Sequence, residues 1–151
     1  MRRIKKRISW LLVALWMLLI FWFSHQPATA SSELSSGITQ VILNVIEKVT
    51  PGKVFDIGWF HHFVRKNAHF FVYLILGILV ANGLRSSGIK GYKSISLGIL
   101  ICVAYAISDE VHQLFILGRA GQVKDVLIDS SGAVVGIGIK KLITIYILKL
   151  K

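Results

Sequence analysis

Apolar residues are concentrated in four long runs that polar segments separate. The runs cover residues 8–23, 68–84, 95–117 and 126–139, and the last is the core of a slightly longer stretch. About 20 apolar residues in a helix cross the hydrocarbon layer of a bilayer. The pattern therefore predicts an all-α integral membrane bundle of four transmembrane helices, which forms one domain over residues 1–151.

The polar segment between the first two runs, residues 24–67, contains a further helical pattern. Its apolar positions follow the i, i+3, i+4, i+7 spacing of an amphipathic helix, at Ile38, Val41, Ile42, Val45, Ile46 and Val49. Pro51 and Gly52 are expected to end this helix, which we place in the interface of the first outer loop. The following Trp59, Phe60 and Phe63, with His61 and His62, are interpreted as an interfacial belt.

Composition and charge support the membrane assignment. The chain is 54% hydrophobic with a mean hydropathy of +0.67, which excludes an ordinary soluble domain. The net charge of +11 comes from basic residues sorted into three blocks, at residues 2–7, 85–93 and 140–151. By the positive-inside rule these blocks are cytoplasmic, as are both termini, and no nucleic-acid partner is expected. The basic start, first apolar run and Ala28-Thr29-Ala30 also fit a cleaved signal peptide, an alternative that stays open.

Helix rise predicts that ionisable groups from different spans lie at one level. His69 to Arg85, Lys93 to Asp109 and Asp125 to Lys141 are each 16 residues apart, which is about 24 Å along a helix. A basic residue marks the inner edge of each span. His69, Asp109 and Asp125 should therefore reach one layer near the outer interface, with Ser24 close to the same height.

This layer supplies the candidate functional residues, because ionisable groups in a membrane are functional candidates by default. The catalytic candidates are His69, Asp109, Glu110, His112 and Asp125, and the substrate-binding candidates are Arg65, Lys66, Tyr73, Gln113 and Arg119. Asp129 should lie one turn deeper and point into the bundle. The alternative for Arg65, Lys66, Arg119 and Lys124 is that they form ion pairs that only join helix ends. Gly132 and Gly136, four residues apart, predict close helix packing.

Several separated motifs resemble one known family. They are Ser24-His25-Gln26-Pro27, Arg65-Lys66-Asn67-Ala68-His69-Phe70 with Tyr73, Ser108-Asp109-Glu110-Val111-His112-Gln113, Gly118-Arg119-Ala120-Gly121, Asp125 and Gly132. In order and spacing they resemble the VanZ-like membrane family over roughly residues 8–140. The resemblance implies a bacterial four-helix membrane protein associated with low-level resistance to the glycopeptide teicoplanin. The motif residues it carries over are Lys66, His69, Asp109, Glu110, His112, Gln113, Arg119 and Asp125, whereas Asp129 stands where Asn is usual.

Three hypotheses of function follow, and the first is favoured. The protein binds or modifies an envelope lipid or cell-wall precursor at the outer face of the cell membrane. Alternatively, it is an enzyme on a phosphate-bearing lipid, in which a histidine acts as general base, an aspartate orients it and Arg119 neutralises phosphate charge. The third hypothesis, a small transporter, lacks an inverted repeat or broken helix. The histidines and carboxylates also suit a divalent metal, although the sequence assigns no cofactor and no oligomeric state.

Overall fold

The computed structural model describes residues 2–49 and 57–149 of the chain. Within these two ranges the backbone forms five α-helices and no strand, which confirms the predicted all-α class. The helices are α1 (Arg2–Ser24), α2 (Ala28–Val49), α3 (Ile57–Ser86), α4 (Gly91–Gln113) and α5 (Val123–Lys149). The amphipathic pattern predicted after Ile38 lies within α2, whereas its predicted end at Pro51 and Gly52 falls outside the described residues.

Helix α3 is the centre of the bundle, because it contacts each of the other four helices. Its buried side chains recur every three or four residues, at Tyr73, Leu76, Val80 and Leu84. Neighbouring helices contribute mostly smaller side chains to the same core, including Cys102 and Ala106 from α4, Ala133 from α5 and Val13 and Ile20 from α1. Small residues on α4 and α5 allow these helices to lie close to α3.

The contact between α3 and α5 is the most extensive in the bundle, and glycines allow it. A Cβ atom at Gly132 would overlap the backbone carbonyl of Phe70, and one at Gly136 would overlap that of Leu74. The relation is mutual, because a Cβ at Gly77 of α3 would overlap the Ala133 carbonyl. The predicted close approach at Gly132 and Gly136 is confirmed, and it fixes α5 against α3 with backbone next to backbone.

Several helix ends differ from the sequence prediction. Helix α2 begins at Ala28, ahead of the predicted start at Ile38, and α5 continues to Lys149, beyond residue 139. Helix α3 begins at Ile57 rather than near residue 68, so the last part of the predicted outer loop is helical. Charged and polar residues lower the hydropathy of this stretch without opposing helix formation. Helix α4 ends at Gln113 rather than 117, since Phe115 N–H bonds to the His112 carbonyl and Ile116 N–H to the Gln113 carbonyl in successive tight turns. These turns bring Arg119 back towards the bundle.

The reversal between α3 and α4 depends on Gly88. This residue has a φ of 86°, a left-handed conformation that glycine adopts without steric cost. The Ile89 N–H then bonds to the Leu84 carbonyl at 3.0 Å, and the Gly88 N–H bonds to the Arg85 carbonyl at 3.0 Å. A helix end of this kind satisfies the last carbonyls and lets α4 start within a few residues.

Among the residues that the structure describes, three helices are long and apolar enough to cross a membrane, over Arg3–Ser24, Gly58–Ser86 and Gly91–Gln113. Large apolar side chains face outward around the bundle, including Leu11, Leu18, Leu100, Leu127 and Leu142, which are each at least 59% exposed. Such a surface would drive aggregation in water but suits contact with lipid. The chain therefore has the features of a multi-pass membrane protein.

Candidate functional site

Polar side chains from α1, α3, α4 and α5 converge at one end of the bundle. The Ser24 hydroxyl at the end of α1 donates a 2.8 Å hydrogen bond to Asp109 Oδ2 on α4. The amide of Gln113 donates to the same oxygen at 3.3 Å. All three side chains are buried, so this contact joins two helices through a polar core rather than through a solvated surface.

Glu110 is the second buried carboxylate of α4, and both of its oxygens accept hydrogen bonds. Gln113 Nε2 donates to Oε1 at 3.1 Å, and the backbone N–H of Gln122 donates to Oε2 at 2.8 Å. Gln122 lies immediately before α5. Glu110 therefore holds the start of α5 against the end of α4.

Arg119 connects the turn after α4 to the end of α1. Its guanidinium donates from Nε to the Gln26 carbonyl at 2.9 Å, from Nη2 to the Phe23 carbonyl at 3.2 Å and from Nη1 to Gln113 Oε1 at 3.2 Å. Burial lowers the pKa of Arg119, and the nearby Arg65 lowers it further, while Asp109 acts in the opposite direction. The side chain nonetheless stays charged, because arginine does not lose its proton in proteins.

Two further ionisable pairs join α3 to α5. His69 Nδ1 lies 3.5 Å from Asp129 Oδ1, and Lys66 Nζ lies 3.5 Å from Asp125 Oδ1. The Asp125 pair is partly exposed, whereas the Asp129 side chain is completely buried. Asp129 therefore points into the bundle, as its depth in the sequence predicted.

The buried end of this region contains oxygen atoms without hydrogen-bond partners among the described residues. They are Asp109 Oδ1, both carboxylate oxygens of Asp129 and the hydroxyl of Tyr73. Asp125 Oδ1, in the ion pair with Lys66, also lacks a hydrogen bond. The Tyr73 side chain is 0% exposed. Asp109, Glu110 and Asp129 each contribute one carboxylate oxygen to a group whose members lie within 4.8 Å of one another. At this spacing carboxylates can hold a metal ion.

A cavity of about 350 Å³ lies between α1, α2 and α3, next to the polar residues. Its wall is apolar along most of its length, with Ile20, Phe23, Ile38, Val64 and Val72. Arg65, Arg119, His69 and Tyr73 also line it. A smaller cavity of about 110 Å³ on the other side of Arg65 and His69 is lined by Lys66, Asp125 and Gln122. His69 and Arg65 are thus accessible from two cavities.

The structure brings together most of the residues that the sequence singled out, but it divides them into groups. His69, Asp109, Glu110, Tyr73, Gln113 and Arg119 surround one buried polar region, with Arg65 at the cavity. Asp125 and Lys66 form the separate ion pair described above. His112 turns towards α1, where its Nε2 lies 3.2 Å from His25 Nδ1 and its ring contacts Phe21 at 4.4 Å between centroids.

Sequence reasoning missed three contributors to the region. His25 was not considered as the partner of His112, and the backbone groups of Gln26 and Gln122 carry no side-chain signal at all. Asp129 was placed at the correct depth but was left out of the candidate site. The segment Ser24-His25-Gln26-Pro27 was the available signal for His25, because a polar tetrapeptide at the end of an apolar span needs partners inside the protein.

Comparison with known proteins bears on the family. A search of curated proteins and a search of solved structures each find no match to this chain. The family profile described as VanZ/LLP1 matches residues 9–144, which takes in all of the polar region described above. The chain therefore belongs to the VanZ/LLP1 family.

Proposed function

We propose that the protein binds an amphiphilic envelope molecule with an anionic head group, a lipid or lipid-linked cell-wall precursor, at the outer face of the cytoplasmic membrane. One observation carries this proposal, the cavity between α1, α2 and α3 with its apolar wall and two arginines. Arginine side chains suit phosphate and carboxylate groups, and the apolar wall suits an acyl or prenyl chain.

Arg65 is the residue best suited to hold the head group. It lines the cavity and makes no hydrogen bond or ion pair with any other described residue. With respect to the described residues, its guanidinium is a cation with unpaired donors beside an apolar cavity wall. Arg119 lies close by, and its fixed guanidinium uses three of five N–H groups, which leaves two for a ligand.

The proposed topology has four spans with α5 as the fourth, α2 at the outer interface and both termini in the cytoplasm. Its support is the different charge at the two ends of the bundle: carboxylates and cations occur together at one end, whereas the charged residues that line a cavity at the other are all basic. Asp109, Glu110 and Asp129 lie at one end, whereas a cavity at the other end is lined by Arg85, Lys90, Lys140 and Lys141. Basic residues favour the cytoplasmic side, so the acidic end and the arginine-lined cavity face outward.

Cysteine labelling tests this topology. In a Cys102→Ala background, the single-cysteine variants Lys90→Cys, Gln122→Cys and Lys149→Cys are treated in intact cells with an impermeant maleimide. We expect labelling at position 122 alone, and at positions 90 and 149 only after permeabilisation. Labelling of position 149 in intact cells would show that α5 does not complete a fourth span.

Binding is tested with purified full-length protein in nanodiscs. The probe is spin-labelled phosphatidylglycerol in a phosphatidylcholine bilayer, and its immobilised fraction is measured. Arg65→Gln should reduce that fraction several-fold, and Lys124→Gln is the matched control, because it removes an exposed cation that lines none of the described cavities. Equal immobilisation by the wild type and Arg65→Gln would remove the support for head-group binding at this cavity.

The proposed link to glycopeptide resistance needs a cellular test. Teicoplanin susceptibility is compared in a host that expresses the wild type, Arg65→Gln or Lys124→Gln at equal membrane levels. Protection that disappears with Arg65→Gln and persists with Lys124→Gln would connect the cavity to the envelope. Lack of protection by the wild type would contradict this role for the chain.

A second candidate, an enzyme acting on a phosphate-bearing lipid, is favoured by the contact between His69 and Asp129. The His69 ring lines both cavities, and the fully buried carboxylate lies 3.5 Å behind its Nδ1. A histidine oriented in this way can accept a proton at its other nitrogen. Release of inorganic phosphate from dolichyl-type or undecaprenyl phosphates by the wild type, but not by His69→Gln, would support the enzyme. No release by either would exclude this phosphatase reaction.

A further inference from the structure

Three carboxylates on two helices meet inside the protein rather than at its surface. Asp109 and Glu110 of α4 are 3% and 6% exposed, and Asp129 of α5 is 0% exposed. One oxygen of each lies within 4.8 Å of the other two. Three ionised carboxylates at such distances repel one another strongly when water does not screen them.

The surrounding protein compensates this charge only in part. Neutral donors from Ser24, Gln113 and the Gln122 backbone satisfy Asp109 Oδ2 and both oxygens of Glu110. The nearest basic side chain is His69, at 3.5 Å from Asp129. Asp109 Oδ1 and Asp129 Oδ2 accept no hydrogen bond from the described residues, and Asp129 Oδ1 has only the 3.5 Å contact with His69. Buried acceptors without partners are costly, and a bound ion is one way in which proteins satisfy them.

A fourth oxygen independently points to the same place. Tyr73 of α3 is completely buried, and its hydroxyl has no hydrogen-bond partner among the described residues. The charged groups that act on this hydroxyl electrostatically are Asp109, Asp129 and Glu110. A tyrosine hydroxyl that is buried in the core of a protein usually forms a hydrogen bond. All three carboxylates of the cluster act on this hydroxyl, and the Tyr73 ring packs against that of Tyr105 with 6.2 Å between centroids.

We propose that Asp109, Glu110 and Asp129 bind one hard divalent cation of the Mg²⁺, Ca²⁺ and Mn²⁺ class, with the Tyr73 hydroxyl as a further oxygen ligand. Hard cations take oxygen ligands at about 2.0 to 2.6 Å, so ligands on opposite sides of one ion are about 4 to 5 Å apart. The 4.8 Å limit on the three carboxylate oxygens agrees with this geometry. His69 contacts Asp129 from the cavity side and orients it as an outer partner.

The cation would have a structural consequence for the bundle. It joins α4 to α5 through carboxylates and α3 through Tyr73, at the end where α1 is also held by Ser24. The cation site is distinct from the proposed amphiphile site, because none of the three carboxylates lines the cavity between α1, α2 and α3, although Tyr73 and His69 lie in the wall between the two. Cation binding is therefore measurable whether or not the cavity holds a lipid.

The test uses full-length protein in detergent after treatment with a chelator. Mn²⁺ is added, and free Mn²⁺ is measured by electron paramagnetic resonance. We expect saturable binding of one ion per chain by the wild type, and an affinity lower by on the order of a hundredfold in Asp129→Asn and in Glu110→Gln, since even outer partners of a metal contribute 10–100-fold. Glu33→Gln is the control, because it removes an exposed carboxylate of α2 that lies outside the polar region, and it should bind Mn²⁺ like the wild type.

A second measurement covers variants that fold poorly. Mn²⁺ and Ca²⁺ should raise the melting temperature of the wild type and of Glu33→Gln, but leave that of Asp129→Asn unchanged. Absence of saturable Mn²⁺ binding by folded wild-type protein overturns the proposal, as does unchanged affinity in Asp129→Asn and Glu110→Gln. Loss of lipid binding in Arg65→Gln with full Mn²⁺ binding would leave the cation site intact.

Discussion

Ser24 and Asp109 meet at the polar end of the bundle, where the Ser24 hydroxyl donates a 2.8 Å hydrogen bond to Asp109 Oδ2. The bond is buried and closes the gap between α1 and α4, two helices that otherwise share few contacts. Asp109 Oδ2 also accepts a hydrogen bond from the Gln113 amide, which in turn bonds to Glu110 and Arg119. The position of α1 is therefore coupled to this hydrogen-bond network.

Ser24→Ala should therefore destabilise the protein. Removal of a buried donor to a carboxylate costs about 1–3 kcal/mol, because the acceptor loses part of its compensation. The measurement is the free energy of unfolding in detergent with increasing denaturant. Ser108→Ala is the control, since the exposed Ser108 hydroxyl bonds only within its own helix, to the Tyr105 carbonyl. Equal stability of the two variants would contradict a structural role for the Ser24 bond.

Gly136→Ala should weaken the packing of α5 on α3. The added methyl would overlap the Leu74 carbonyl, which belongs to a helix backbone and cannot move aside easily. We expect a loss of about 1–3 kcal/mol in the free energy of unfolding. Gly138→Ala tests the same substitution two residues away, where no neighbouring atom lies within 4 Å, and should be neutral or stabilising by up to about 1 kcal/mol. Similar losses in both variants would exclude the backbone clash as the cause.

Arg119→Lys should destabilise the protein although the charge is kept. An ammonium group cannot reproduce the planar arrangement that reaches the carbonyls of Phe23 and Gln26 together with the Gln113 amide oxygen. The expected loss is about 1–3 kcal/mol, from acceptors left without a donor. Arg65→Lys, which disrupts no described bond, should retain wild-type stability. The measurement is the melting temperature of both variants and the wild type. Equal melting temperatures for Arg119→Lys and Arg65→Lys would contradict the prediction.

Trp16→Phe should show whether α1 is held to α3 by a directional contact. The Trp16 indole N–H donates to the Val72 carbonyl at 2.9 Å, and phenylalanine keeps the ring but not the donor. A loss of about 1 kcal/mol is expected. Trp22→Phe is the comparison, because Trp22 is 61% exposed. A Trp22 variant as unstable as the Trp16 variant would indicate that ring size, rather than the hydrogen bond, matters.

Much of the architecture could be predicted from the sequence, because hydrophobic runs and glycine spacing are local signals. The runs correctly indicated α1, α3, α4 and α5, and Gly132 and Gly136 indicated the close contact with α3. The start of α3 at Ile57 was missed because Trp59, Phe60 and the following charged residues resemble an interface rather than a span. Hydropathy reports solvent preference, and it does not report where a helix begins.

The candidate site was only partly predictable, because rotation of a helix about its axis depends on its neighbours. A rise of 1.5 Å per residue correctly placed His69, Asp109 and Ser24 at similar heights. Spacing alone also grouped His112 with Asp109 on one side of α4, but the buried side of α4 carries Asp109, Glu110 and Gln113, and His112 faces His25. Partners such as the Gln122 N–H belong to the backbone and leave no trace in the residue pattern.

The separation of 85 residues between Ser24 and Asp109 sets the order in which the site is made. Chains are synthesised at about 5–20 residues per second, so α1 precedes its partner on α4 by on the order of ten seconds. During that interval the Ser24 end of α1 has no carboxylate to bond. Asp129 follows later still, and its helix completes the polar region last. A chain released after α3 would therefore contain His69 and Arg65 without any of the three buried carboxylates.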